Sequence, residues 1–322
     1  MKTAFTSIFS RRAGLFALCA AVLCLPAAAQ GNAPAPVAHW LFDGEGVDIP
    51  DHSGNGNGAG ILAPEHAERV RDAQSGVPAL WFGGGAEGRL AGHGHVESEA
   101  LAGKLPGPFS VSAWVRPGSF PPYAPVVTKV TDMDLWDDGF GIYAGPGGAL
   151  GAFAGGYGAA AMPGAHPARA GGWSHVCLAF DGGAAVFYVN GLPRSSAVLT
   201  GDGTANNAPV RVGTLEGLSG TRAWHGAVAD VRVYGAALSA GDVLSLFAGS
   251  PLAEAADSLG QGIPDLWALF YGLDPLNPAL AGQALSEDGL TNLQKYRMGM
   301  NPLGAAAPPV RPMLRIHTPL EK

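Results

Sequence analysis

Residues 131–143, TDMDLWDDGFGIY, set Asp132, Asp134, Asp137 and Asp138 around Trp136. Carboxylates accept hydrogen bonds from sugar hydroxyls and a flat indole stacks on a sugar ring, so this grouping has the ingredients of a carbohydrate site. Trp136, Asp134, Asp137 and Asp138 are accordingly the candidate ligand-binding residues. The same residues also read as a solvated acidic loop with one tucked tryptophan. Tyr123, Tyr157 and Trp224 are further aromatic candidates, while Trp40, Trp81, Trp114 and Trp173 fall in strand-like segments and are expected in a core.

Groups suited to covalent or metal chemistry are sparse. Glycoside cleavage needs two carboxyl groups about 5 to 10 Å apart, one of them protonated. Glu97 and Glu99 come closest in sequence, but they sit in a Gly-rich region. Ser112 and Ser174 lack the G-x-S-x-G setting of an activated serine, and the run GGGAEG has no following Lys-Ser/Thr pair to hold a phosphate. His93 and His95 have a spacing that suits one metal ion, but no third ligand accompanies them. His175, inside an apolar strand, reads as a structural histidine. No enzyme is expected.

The elements that must position these residues are strands. Strand-like runs occupy 37–42, 79–82, 109–116, 126–130, 139–144, 173–180, 186–190, 210–213 and 227–234. Within WSHVCLAFDGGAAVFYVNG, the Asp181-Gly182-Gly183 and Asn190-Gly191 steps supply the positive φ of tight turns. Asp230, Arg232 and Tyr234 alternate with Ala229, Val231 and Val233, the period of two of a half-buried strand. Short strands without crossover helices predict a mainly β, two-sheet sandwich over 35–248. Ser239 caps a short helix that reaches Phe247. Beyond Gly249, two short helices at 264–271 and 291–298 flank a connector that Pro275 and Pro278 keep non-helical. They define a small module at 255–303, and the Ala/Pro-rich residues 304–322 are expected to form a flexible tail.

Lys2, Arg11 and Arg12 precede an apolar run at 13–25 and Ala27-Ala28-Ala29, so residues 1–29 are expected to be a signal peptide. The expectation is a secreted or cell-surface protein with no transmembrane segment in the mature chain. Cys19 and Cys24 leave with that peptide, and Cys177 is expected as a small buried hydrophobe. With 49 glycines, 26 prolines and 47% hydrophobic residues, the composition suits a loop-rich all-β fold. A net charge of -7 argues against nucleic acid or an anionic membrane as partner.

HWLFD at 39–43, DHSGNGNGAG at 51–60, ALWFGG at 79–84, FSVSAWVRP at 109–117, WSHVCLAFDG at 173–182, FYVNG at 187–191 and WHGAVADVRVYGAALS at 224–239 follow one order. In that order the chain resembles the bacterial laminin G-like family of the concanavalin A-like lectin/glucanase superfamily, which implies a two-sheet jelly roll. Members often carry one structural calcium, and the resemblance places Asp43, Asp51, Asn55 and Asp230 as its oxygen ligands. As turn formers, Asp51, Ser53, Asn55 and Asn57 account for the same segment without an ion. The E-x-D-x-x-E triplet of some glucanases in that superfamily does not occur.

DSLGQGIPDLWALFYGLDPLNP at 257–278 and SEDGLTNLQKYRMGMNP at 286–302 resemble paired calcium loops of thrombospondin type 3 or dockerin type. Such loops want oxygen ligands at the first, third and fifth positions and a carboxylate at the twelfth. The first loop keeps Asp257 and Asp265 but has Leu259, Gln261 and Ala268 at the third, fifth and twelfth positions. The second keeps Asp288 and Asn292 but has Ala284, Ser286 and Lys295 at the first, third and twelfth. Weak calcium binding, or none, is expected there. The functional expectation is a non-catalytic secreted protein that binds a glycan or another extracellular protein or surface, with the small module as spacer or tether. A structural surface or matrix protein without a small ligand comes second, and a polysaccharide-active hydrolase third.

Overall fold

The computed structural model describes residues 33–83, 94–131, 138–157, 161–199, 205–215 and 222–304. The expected signal peptide, the expected tail beyond Gly304, His93 and the site candidates Asp134, Trp136 and Asp137 lie outside the described residues. The N-terminal strands are β1 Ala38–Trp40, β2 Asp48–Ile49, β3 Ala59–Leu62, β4 Ala67–Arg71, β5 Pro78–Gly83 and β6 His95–Ser98. Next come β7 Phe109–Pro117, β8 Ala124–Lys129, β9 Phe140–Ala144, β10 Ala149–Ala154, β11 Ala161–Pro167 and β12 Ser174–Phe180. The last are β13 Ala184–Val189, β14 Leu192–Val198, β15 Val210–Val212 and β16 His225–Tyr234, followed by helices α1 Ala240–Ala248, α2 Asp265–Phe270 and α3 Asn292–Met298.

One sheet runs β14-β13-β12-β7-β16-β5-β4, with β1 also beside β16; the other runs β11-β10-β9-β8-β15-β6-β3-β2. The pairings are antiparallel, as a jelly-roll sandwich requires. Phe109, Val111, Ala113 and Val115 turn one face of β7 into the space between the sheets, together with Trp40, Phe82, Ile142 and Phe187. Phe109 and Phe140 stack across it at 4.3 Å. Burying each large apolar side chain contributes about 1.5–3 kcal/mol, so this layer holds the sheets together.

The other face of β7 is covered as well. Trp114 stacks on Phe247 of α1 at 5.6 Å, and around them Trp173, Leu252, Ala253 and Leu266 form a second apolar cluster. Ser239 and Asp242 close a capping box that starts α1 over this surface. A buried polar link accompanies the apolar one. Asn190, at φ 50 in the turn after β13, accepts the His175 N–H at 2.7 Å and donates to Asp265 at 2.7 Å and Ser258 at 3.1 Å. The C-terminal module is thus seated on the sandwich, where the sequence suggests a spacer. The half-buried reading of β16 is corrected in part, because Tyr234 is buried against Cys177, Leu238 and Val243. A bulge between Ala229 and Arg232 puts Asp230 at φ 48.

Candidate binding rim

The segment 102–108 forms the wall between two clefts. Gly103 (φ 67) and Leu105 (φ 69) both take left-handed backbone, which leucine rarely adopts. A Cβ on Gly103 would stand 3.1 Å from Asn207 Oδ1, so the wall and the 205–207 segment meet closely. On one side lies a cleft of about 480 Å³ whose lining includes Val37, Asn55, Asn57, Lys104, Leu105 and Pro108. On the other lies one of about 230 Å³, lined by residues that include Gly103, Lys104, Asn206 and Asn207. Lys104 and Pro106 belong to both.

The polar groups at these clefts are anchored from behind. Asn57 donates its backbone N–H to Asp51 at 2.8 Å and its side-chain amide to the Val37 carbonyl at 2.7 Å, and its carbonyl accepts from the Trp40 indole at 2.9 Å. That leaves Asn57 Oδ1 to accept from Lys104 Nζ at 2.7 Å. Asn206 is held by the buried ammonium of Lys129, which donates to its carbonyl and to its Oδ1, each at 2.6 Å. Burial lowers the Lys129 pKa to about 8, against the opposing pull of Asp138. Asp138 in turn accepts from Asn206 Nδ2 at 2.9 Å and from the Thr131 N–H at 2.9 Å. Of the four carbohydrate candidates read from the sequence, Asp138 is therefore brought to this rim as an anchor, at the end of the acidic tract. Lys104, Asn57, Asn206 and Asn207 were not anticipated as cleft residues; the legible signal was the punctuated run GKLPGP at 103–108. Amides and an ammonium on firm supports can exchange hydrogen bonds with a hydroxyl-rich ligand.

The four residues placed for a jelly-roll calcium are each engaged by protein partners. Asp51 accepts the N–H groups of His39 and Ser53, both at 2.9 Å, and the Ser53 hydroxyl at 2.8 Å, as a turn former does. Burial pushes its carboxyl up, but these bonds outweigh it and the pKa is lowered. Asp43 faces His52 at 3.0 Å, and Asn55 donates to the Pro36 carbonyl at 3.0 Å. Asp230 accepts from His39 Nε2 at 2.7 Å and from Arg232 Nε and Nη2 at 2.8 and 3.0 Å. Burial raises its pKa, yet His39 and Arg232 bring it to about 2. Its carboxylate is thus already paired with the Arg232 guanidinium.

In the C-terminal module, Asp257 accepts the N–H groups of Gln261 at 3.0 Å and Gly262 at 2.7 Å. Asp265 is buried on Ser258 and Asn190, and burial raises its pKa. Asn292 donates to the Leu280 carbonyl at 2.9 Å, while Asp288 accepts the Leu290 N–H at 3.0 Å and meets Lys295 Nζ at 3.2 Å. Among the described residues, no three His, Cys, Asp or Glu side chains gather as a metal-ligand group.

Other sequence candidates are placed elsewhere. Trp224 is buried, and Tyr123 and Tyr157 pack at 6.2 Å in a cluster with Tyr143 and Phe153. Glu97 accepts from Arg211 Nε at 2.6 Å as an ion pair. His175 is buried and its pKa is lowered to about 4 by burial. Burial likewise pushes the Cys177 thiol up. Ser119 Oγ lies 2.7 Å from His225 Nδ1, a pairing the sequence does not reveal, and neither residue is among those lining the two clefts.

Residues 90–244 match the model of the concanavalin A-like lectin/glucanases superfamily. Comparison with curated proteins gives no match. Among solved structures, a mutant of Trypanosoma rangeli sialidase displaying trans-sialidase activity is 15% identical, with a TM-score of 0.52 over 76% of this chain and 38% of that one. Trypanosoma rangeli sialidase in complex with 2,3-difluorosialic acid is 17% identical, with a TM-score of 0.51 over 67% of this chain and 33% of that one. Domain 4 of a GH43 extracellular arabinanase from Geobacillus stearothermophilus, in complex with arabinotriose, is 21% identical, with a TM-score of 0.49 over 66% of this chain and 97% of that one. This chain spans less than half the length of the two sialidases, and at these identities the likeness to them is one of fold.

Proposed function

We propose, from the match of residues 90–244 to a lectin/glucanase superfamily, that this protein is a secreted, non-catalytic binder of carbohydrate chains. The rim around Lys104 holds the ligand. The observation that carries this reading is the pair of clefts joined at Lys104 and Pro106, lined by asparagine amides that protein bonds support from behind. Asparagine and lysine suit the many hydroxyls of a glycan, and the proline faces offer apolar surface for the C–H side of a sugar ring. A chain lying over the wall at 102–108 would reach both clefts. Binding at this rim calls on no metal.

The test is a glycan array with the mature chain, followed by titration of the best ligand. Lys104→Ala and Asn207→Ala are each expected to weaken binding about tenfold, the equivalent of about 1.4 kcal/mol. Retention of full affinity in both variants would remove the rim from consideration. Silence across polysaccharides would favour the structural role, and turnover of any of them would make the protein an enzyme.

A further inference from the structure

We propose that Lys295 is the resident cation of the 286–302 loop: its ammonium occupies the place that the sequence pattern gives to a bivalent ion, and the C-terminal module is ordered without calcium. Lys295 lies on α3, is fully buried, and donates from Nζ to the Ser286 hydroxyl and to the Pro302 carbonyl at 3.0 Å. Asp288 Oδ2 stands 3.2 Å from the same nitrogen. These are the side chains of the third and fifth loop positions and a nearby carbonyl, the kinds of oxygen a hard cation collects. A buried ammonium is strongly unfavourable unless oxygens of this kind surround it. Reaching in from the twelfth position, the lysine stem brings a positive charge to the point at which a glutamate would bring a negative one. Because that charge is covalently attached, the loop does not depend on the ion concentration outside.

The 257–268 loop points the same way. Arg169, which follows β11 on the sandwich, places Nη1 3.5 Å from the Asp257 carbonyl oxygen and 3.8 Å from its carboxylate. Its guanidinium packs so closely on Gly260 that a Cβ there would lie 2.5 Å from Nη1. Both loops take positive charge from the chain.

Melting of the full mature chain in about 5 mM calcium and in chelator tests the proposal. The native protein is expected to melt at one temperature in both. Lys295→Glu, which supplies the missing carboxylate, is expected to gain a saturable calcium response of about 3 °C. Amine acylation read by mass spectrometry gives a second measure on the unaltered protein, should that variant not fold. Lys295 is expected to react about 100-fold more slowly than the exposed Lys104, a rate ratio reflecting its burial, and calcium is expected to leave its rate unchanged. A calcium-raised melting temperature of the native protein, equal labelling of the two lysines, calcium-accelerated labelling of Lys295, or a folded Lys295→Glu blind to calcium would each overturn it. None of these readouts involves a glycan, so they stand apart from the fate of the rim.

Discussion

At the rim, Lys104 is exposed, gives one hydrogen bond to Asn57 and lines two clefts, whereas in the C-terminal loop Lys295 is buried and directed at three oxygens of its own segment. The residue types are similar in the two places; the backbone differs. Gly103, Leu105 and two prolines, Pro106 and Pro108, hold the rim segment in a partly left-handed path that no helix follows, so its side chains are not drawn over one another. In the C-terminal loop, Thr291 opens α3 with a capping box, and the helix carries Lys295 back into the loop. The lesson is that the same side chain stays exposed where the backbone turns away from its neighbours and is drawn inward where a helix carries it back.

The comparison can be broken most forcefully at the seam between the two regions. Trp114→Ala removes the ring that packs on Phe247 and is expected to destabilise the protein by about 3–5 kcal/mol in chemical denaturation. A loss below about 1 kcal/mol would mean that the module does not depend on the sandwich. Acid titration probes the same seam. Burial holds His175 at about 4, so the unfolded chain takes up its proton first as pH falls. Stability should decline from about pH 6.5 to pH 4 by about 3 kcal/mol, and His175→Phe should flatten that part of the profile. Asp230 acts in a lower window, its contribution lost between about pH 4 and pH 2, and a profile flat down to pH 4 would show that His175 is not desolvated.

At the rim the expected contrast is between stability and binding. Lys104→Ala should shift the unfolding free energy by less than about 0.5 kcal/mol, in keeping with its exposure, while the glycan titration loses about tenfold. Trp136→Ala, measured the same way, tests whether the tract ending at Asp138 serves this rim; unchanged affinity would leave Asp138 as an anchor alone. The smallest effect is expected at Arg169→Ala, below about 0.5 kcal/mol, because an ion pair at 3.8 Å with a half-exposed arginine is worth little in water.

Much of the sandwich was legible because β7, β12 and β13 carry apolar runs between strong turn signals; the cap Ser239 marked α1, and the helical runs read at 264–271 and 291–298 appear as α2 and α3. The short strands β2, β3 and β6 escaped, and so did four longer ones of two kinds. β4 (AERVR) and β14 (LPRSSAV) lie at sheet edges with few buried positions, so they lack apolar periodicity. β10 and β11 are rich in alanine and glycine, which reads as loop, yet the small residues are demanded by neighbours: a Cβ on Gly151 would come within 2.9 Å of Tyr143, and one on the adjacent Gly141 of β9 within 2.5 Å of Phe153. The rim was barely legible, since single lysines and asparagines announce nothing until backbone geometry gathers them. For the expected jelly-roll calcium ligands the sequence shows the oxygens but not the His39 and Arg232 that pair with Asp230, whereas Lys295 at the twelfth loop position was legible in the sequence itself.

Asn190 ties the tip of a hairpin to Asp265, a residue the ribosome adds 75 positions later. The last strand of the sandwich, β16, ends at Tyr234, so in sequence the sheets are complete before Phe247, which covers Trp114, and before Asp265 itself. Any truncation that keeps β16 but ends before α1 would leave that aromatic flank of the sandwich uncovered.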